Sequence, residues 1–574
     1  MSSVNFHKHQ NELIFVPLGG AGEIGMNVNM YHLNGKWIMV DLGIGFAHDT
    51  PGVDMLAPDI SFAKRIKKDI IGLIITHIHE DHLGAVQYLW EELKIPIYAS
   101  SLACNFLKAK LQEFPFAKKV KIHQIEPSKN LQLGDFNIEF IGLTHSVPEM
   151  NALLIKTEHG NVLHSGDWKF DPDPVVGKVS EKEKIKSYGD KGEILALVSD
   201  STNAMNDGRS KSEGDLFASL KNIVEKRKKL VGVATFASNI ARITTVCKVA
   251  KACNRKVVLL GFSLNRIVEV AKKSGYDLEI DNIISDREMK HYKRSQLLML
   301  LTGCQGESRA ATMKVATNSH PRVKFGSGDT IIFASKIIPG NEKPIFKLFN
   351  FFAKNQVEVI TERDEFVHVS GHPNKDEMIE MYGLAQPQVA IPVHGEFVHL
   401  DHHCGIAKES GVKEVCLVEN GSVVKISKKK TEIIGKVETG YFGISGKQLL
   451  PLFGEVIKDR KRLQDSGIFV ASAVIDSRNY KLIGDISIVA NGIYHKSSDR
   501  TEINFIEKEI KIKLNQLIVK YKPNSGRIKK MFNKTKINNK LSSDLQNSLK
   551  SLILKMLNDL IGKRPSVEVI VKVI

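Results

Sequence analysis

The chain has 574 residues, 42% hydrophobic and 25% charged, which is the composition of ordinary globular domains and more chain than one compact core holds; three or four domains are expected. No apolar run approaches the 18–20 residues of a membrane span, and MSSVNFHKHQNE lacks the apolar stretch of a signal peptide, so no membrane partner and a cytoplasmic location are expected. The net charge of +17 and pI of about 9.3 suit either a polyanionic partner such as nucleic acid or plain Lys-rich solvated faces.

In chain order, the first signal is Gly20-x-Gly22-x-x-Gly25 after the apolar run Leu13–Val16, with Asp41 further on. This is the written form of a dinucleotide fingerprint, which requires a helix to start at the third glycine. Instead Asn27–Tyr31 alternates with period two, Asn34-Gly35 marks a tight turn, and Lys36–Val40 returns as a strand. A β-hairpin therefore follows the glycines, and the NAD reading fails on context.

Residues 70–76 form a short buried strand that delivers Thr76-His77-Ile78-His79-Glu80-Asp81-His82. His77 and His79 project to one side of an extended segment and can share an ion; Asp81 and His82, one turn on, can hold a second. Two such metals suit phosphate-ester hydrolysis. Further ligands are available where apolar strands end at His145, at Asp167 and at His394.

Residues 209–365 alternate helix and strand: helix 213–229, strand 230–235, helix 240–252, strand 256–260, helix 265–274. That pattern predicts a parallel sheet with helices on its faces, inserted between Asp167 and His394. Residues 447–466 read as a linker. Residues 467–574 read as a small α+β domain. Its helix is capped by Ser543 with Gln546, carries Leu545, Leu549, Leu552, Met556 and Leu560 on one face, and precedes a last strand over 567–574. Residues 501–574 hold sixteen Lys and Arg against six Asp and Glu, so ten of the seventeen net charges lie there. The six cysteines (104, 247, 253, 304, 404, 416) contain no CxxC pair and read as free thiols of a reducing compartment.

The order VDLG, HIHEDH, THSVPE, SGDWKFD resembles the metallo-β-lactamase fold. SDSTN (199–203), HVSGHP (368–373) and PVHGE (392–396) resemble its nucleic-acid-processing β-CASP group, and TFASN (235–239), CQGE (304–307), IPGNE (338–342) and the C-terminal extension resemble the bacterial ribonuclease J family. The resemblance implies an αββα sandwich (1–208 and 366–446), an inserted β-CASP α/β domain (209–365), the linker, and the C-terminal α+β domain. It implies two Zn²⁺ per subunit, with Mn²⁺ as the alternative. His77, His79 and His145 would hold one ion, Asp81, His82 and His394 the other, with Asp167 bridging and Asp41 supporting the ligands from behind.

The implied activity is zinc-dependent hydrolysis of single-stranded RNA in maturation and decay, 5′→3′ exonucleolytic with endonuclease activity, leaving 5′-phosphate and 3′-hydroxyl ends. Asp81, His368 and Asp200 are the implied catalytic residues, with His368 beside the scissile phosphate. Ser238, Asn239, His368, Ser370, Gly371 and His372 are candidates for phosphate binding and for sensing a 5′-monophosphate. The C-terminal domain is implied to form a homodimer or homotetramer, or to hold RNA. The family commonly shows Arg where Phe262 stands and often His where Ala241 stands; Arg242 and Arg266 are the alternatives for contact with the RNA backbone. The rival readings are a small-molecule hydrolase of the same fold, a DNA nuclease, and a non-catalytic RNA-binding scaffold.

Overall fold

The computed structural model describes residues 4–47, 50–338, 340–495, 498–519 and 534–574; Pro339 of the IPGNE stretch lies outside them. The chain forms two compact units, Met1–Phe46 with Met55–Phe442, and Ala47–Asp54 with Gly443–Ile574.

Two sheets face each other in the first unit. One has eight strands, in the order 432–436, 422–425, 14–19, 28–33, 36–40, 70–74, 97–99 and 122–124. The other has seven, in the order 131–133, 136–142, 151–156, 161–164, 194–200, 389–393 and 414–415. Phe15, Tyr31, Ile38 and Ile74 of the first meet Phe136, Phe140, Leu153 and Ile391 of the second in a dry core. Helices Lys182–Gly189, Lys375–Ala385 and Phe397–Glu409 contribute to a second core on the outer face of the seven-stranded sheet, and helices Val86–Leu93 and Ser101–Leu111 accompany the eight-stranded one. This is an αββα sandwich. It explains why Ile14–Gly19 and Val28–Leu33 are buried at every position instead of alternating.

The expected hairpin is present. Val28–Leu33 pairs with Lys36–Val40 through Asn34-Gly35, both left-handed at φ 50° and 73°. From Lys36–Val40 onward the eight-stranded sheet is parallel, as are strands 161–164, 194–200 and 389–393 of its partner. Their carboxyl ends carry Asp41, the Thr76–His82 loop, Asp167, Asp200 and His394. These loops form the crevice where open α/β sheets bind ligands.

The insertion holds a separate six-stranded sheet, entirely parallel, in the order 283–284, 256–260, 297–301, 231–234, 330–333 and 358–360. Its core is apolar, centred on Val258, Met299, Ile331, Leu348 and Phe352. Two of its helices differ from expectation. The first is confined to Leu216–Glu225, because Glu213 is drawn out to an ion pair described below. The later one starts at Phe262, where Gly261 (φ 135°) turns the chain directly out of its strand.

In the second unit Ile468–Asp476 is flanked by Lys481–Val489, antiparallel, and Ser566–Val573, parallel. The stretch expected to be a linker is ordered: Gln448–Pro451 is a strand and Glu455–Ser466 a helix. Only Ile457 of that helix is buried, so its charge masks its amphipathicity. The long helix runs from Lys534 to Ile561, so Ser543 lies in its interior and caps nothing. The neighbouring Ser542 hydroxyl donates to the Val571 carbonyl, as does Gln546 Nε2 at 3.3 Å, which turns this polar pair toward the last strand. The buried stripe is Leu541, Leu545, Leu549, Ile553 and Leu557, while Leu560 is exposed. No helix among the described residues is long and apolar enough to cross a membrane.

Candidate metal centre

Seven residues from four distant segments converge at the strand ends. His77 Nε2 and His145 Nε2 each lie 3.0 Å from His79 Nδ1, and Asp167 Oδ2 lies 3.9 Å from both outer rings. Beside them, His394 Nε2 is 3.2 Å from Asp81 Oδ2, and His82 Nε2 is 3.1 Å from Asp167 Oδ1. The two groups, His77–His79–His145–Asp167 and Asp81–His82–Asp167–His394, share Asp167, and within each the donor atoms lie within 4.8 Å of one another.

Burial pushes His77 and His145 well below the usual histidine range and His79 to about 4, so all three rings are neutral. Three neutral imidazole nitrogens turned on one another at hydrogen-bond distance cannot all be satisfied by each other's single N–H. A cation accepts all three lone pairs, so the donor chemistry fits a metal. Around His394, burial is outweighed by Asp167, Asp200 and Asp81, which carry its ring to about 10.

A further layer holds these ligands. Asp41, fully buried and left-handed at φ 62°, accepts from Thr76 N and Thr76 Oγ1, both at 2.8 Å, and lies 2.7 Å from His82 Nδ1. That contact turns His82 Nε2 toward Asp81 and Asp167. The glycine-rich turn has an equally specific place. Ala21–Gly22 pairs with Gly395–Glu396, and the Gly20 carbonyl accepts the His394 amide at 2.5 Å. At Gly25 a Cβ would stand 3.3 Å from Asp81 Cβ. The turn thus anchors the loop bearing His394 where the dinucleotide fingerprint would have cradled a phosphate.

The remaining candidates separate. His372, not His368, adjoins the cluster: its Nδ1 is 2.7 Å from Asp200 Oδ2 and 3.9 Å from Asp167 Oδ2, and its ring stacks on His394. Burial lowers its pKa, but Asp200 and Asp167 raise it on balance. His368 makes none of the ring or ion contacts of the cluster. Burial drives it to about 3, with Arg242 adding to the effect, and its Nδ1 has no hydrogen-bond partner. A ring held neutral there is a poor proton donor.

Gly371 and Ser370 also belong to the metal side. The Gly371 carbonyl lies 2.6 Å from His145 Nδ1, and Ser370 Oγ accepts from Asn203 Nδ2 at 2.8 Å. Asn239, beside Ser238, is occupied in capping helix Ile240–Ala252, where its Oδ1 accepts the Arg242 amide at 2.8 Å. Arg242 is no substitute phosphate contact either, because it is fully buried against Glu213. Phe262 is 73% exposed with Arg266 over its ring.

Two functional neighbours escaped the sequence reading. Asn27 donates its amide N–H to the Asp81 carbonyl, receives the Gly43 amide, and sets Nδ2 3.0 Å from His82 Nε2. Thr202 Oγ1 lies 2.8 Å from His394 Nδ1 and donates to Asp200. Thr202 stands inside SDSTN and Asn27 directly after the glycine turn, so adjacency to a recognised motif was the available signal.

Fold and centre together define a metal-dependent hydrolase of the metallo-β-lactamase superfamily, whose model matches residues 24–201. Other family models match in order: the ribonuclease J β-CASP domain (227–352), the Zn-dependent metallo-hydrolase RNA specificity domain (356–417) and the ribonuclease J C-terminal domain (455–574). Ribonuclease J of Sinorhizobium meliloti is 39% identical over 84% of this chain and 86% of its own length. Ribonuclease J2 of Bacillus subtilis is 30% identical over 86% and 89%. The chain belongs to the ribonuclease J family of metal-dependent ribonucleases. A crystal structure of a protein of unknown function from Enterococcus faecalis V583 shares the fold, at TM-score 0.51 and 15% identity, over 72% of this chain and 99% of that one.

Proposed function

We propose that the protein hydrolyses single-stranded RNA as a 5′→3′ exonuclease with endonuclease activity, prefers a 5′-monophosphate end, and serves RNA maturation and decay. Cleavage leaves a 5′-phosphate and a 3′-hydroxyl. The observation that carries this reading is the pair of donor groups sharing Asp167. A shared carboxylate between two buried sites is the arrangement of two-metal phosphodiester hydrolysis.

His77, His79 and His145 would hold one ion and Asp81, His82 and His394 the other, with Asp167 available to both groups. The donors suit Zn²⁺, with Mn²⁺ as the alternative. When bound, the two ions neutralise phosphate charge and supply a water acidified toward neutral pH. Asp41 fixes His82, and Thr202 with Asp200 fixes His394. The bond that breaks is between phosphorus and O3′. The departing oxygen takes its proton from His372, the one ring in the cluster that is both partly exposed and backed by a carboxylate outside the two ligand groups. This assigns His372 the role that the motif suggested for His368. Ser238 and the backbone at Ser370-Gly371 are separate phosphate contacts, and the basic surplus of the chain attracts the RNA. Homodimers or homotetramers form through the C-terminal unit, in the cytoplasm.

The test is 3′-labelled RNA bearing 5′-monophosphate, 5′-triphosphate or 5′-hydroxyl, with Asp81→Ala as control. Rapid release of mononucleotides from the monophosphate substrate, lost in the control, is expected. Internal cuts indifferent to the 5′ group would reject the exonucleolytic reading, and cleavage of DNA alone would reject the substrate.

A further inference from the structure

The inserted domain contributes no ligand to the metal centre, yet a continuous buried polar chain joins the two. It starts two residues after Asp167, where the buried Lys169 ammonium donates to Asp171 Oδ2 at 2.8 Å. The same oxygen accepts the Glu213 amide at 3.0 Å, and Asp171 Oδ1 accepts Ser212 Oγ at 2.5 Å. Glu213 then takes Arg242 in a two-pronged ion pair, Nε to Oε1 at 2.7 Å and Nη2 to Oε2 at 3.0 Å. Arg242 is fully buried on the helix Ile240–Ala252 of the insertion. Its remaining Nη1 donates to two carbonyls, Ala334 at 2.7 Å and Val367 at 3.2 Å. Val367 opens the segment that delivers the Gly371 carbonyl to His145 and the His372 ring to Asp200.

We propose that the Glu213–Arg242 pair is a positioning device: it sets the 367–372 segment against the metal centre, and so ties the placement of the inserted domain to the placement of His372. The inference rests on the role given above to His372. A buried ion pair is a weak source of stability, because desolvation offsets most of its attraction, and an apolar pair of the same volume often does as well. What an apolar pair cannot do is hold two carbonyls from two different segments. Arginine is needed for that, since the planar fork serves Glu213 on one edge while Nη1 reaches Ala334 and Val367; a lysine has one nitrogen for all three partners.

The test separates stability from positioning. In Glu213→Leu/Arg242→Met both charges go together. The chain is expected to fold with bound metal per chain unchanged, KM for single-stranded RNA within about threefold, and kcat lowered 10- to 100-fold, the range that sub-ångström to 1 Å misplacement produces. Arg242→Lys keeps the charge opposite Glu213, which guards against a misfolded double variant, and is expected to lower kcat in the same way. Parental kcat in either folded variant overturns the proposal, as does a loss confined to KM or to metal content. His372→Ala is measured alongside. Parental kcat there rejects the role of His372, a result distinct from the fate of the tether, which is read from the two pair variants alone.

Discussion

The sandwich and the inserted domain both place loops at the carboxyl ends of parallel strands, and they fill them with opposite chemistry. The sandwich gathers Asp41, Asp81, Asp167 and Asp200 with six histidines, seven of the ten buried and His79, Asp81 and His372 partly exposed. The insertion keeps an apolar core, with the Arg242–Glu213 pair buried at its root. Two of the residues in or beside the metal cluster, Asp41 and His394, also hold a left-handed backbone. Buried charge is thus concentrated where a cation compensates it, while the core of the insertion is apolar.

The largest effect should come from the shared carboxylate. Asp167→Ala is expected to lower single-turnover RNA cleavage by at least about a thousandfold while far-UV circular dichroism stays unchanged. Chelation should match that loss. It should also speed hydrogen exchange at Ile70–Ile74 and leave Val231–Ala234 protected; equal deprotection of both strands would break the contrast.

The converse perturbation is Phe352→Ala, which empties part of the insertion's core. It should cost about 3–5 kcal/mol in denaturant unfolding and leave bound metal per chain unaltered. Asp41→Asn keeps the shape beside His82 but removes the charge. It should weaken metal affinity or activity by about 10- to 100-fold, read by metal titration.

The smallest effect is expected far from the centre. Burial raises the Glu139 carboxyl, but Lys156, Tyr188 and Lys184 outweigh it and hold it at about 2. Its folded pKa is therefore depressed, and its contribution to stability is complete above about pH 4.5 and fades as pH falls toward 2. Glu139→Gln should cost about 1 kcal/mol at pH 7, and the difference from the parent should vanish near pH 2 in acid-unfolding curves.

Much of the centre was legible because its signals are local. The hairpin announced itself by alternation around Asn34-Gly35, and His77–His82 by ligand density after a buried strand. What was misread depended on contacts distant in sequence or on fine geometry. His368 and His372 sit four residues apart in one motif, and the turn at Ser370-Gly371 alone decides which ring meets Asp200. Ser543 and Gln546 satisfy a capping pattern, but the apolar stripe extends back to Leu541 and keeps the helix running through them. The stretch 447–466 looked like a linker because helix Glu455–Ser466 buries one residue. The partner of the glycine-rich turn, Gly395–Glu396, had no mark in the first hundred residues at all.

That last pairing bears on how the enzyme comes into being. During synthesis the ribosome releases His77, His79, Asp81, His82, His145 and Asp167 long before His394. The strand that carries His394 docks on Ala196–Asp200, and its loop docks on a turn made more than 370 residues earlier. The nascent chain therefore carries an unfinished second site through most of translation. Contacts so far apart in sequence form late and slowly, which makes nucleolytic competence wait until the His394 strand has been made and its loop has met the turn at Ala21–Gly22.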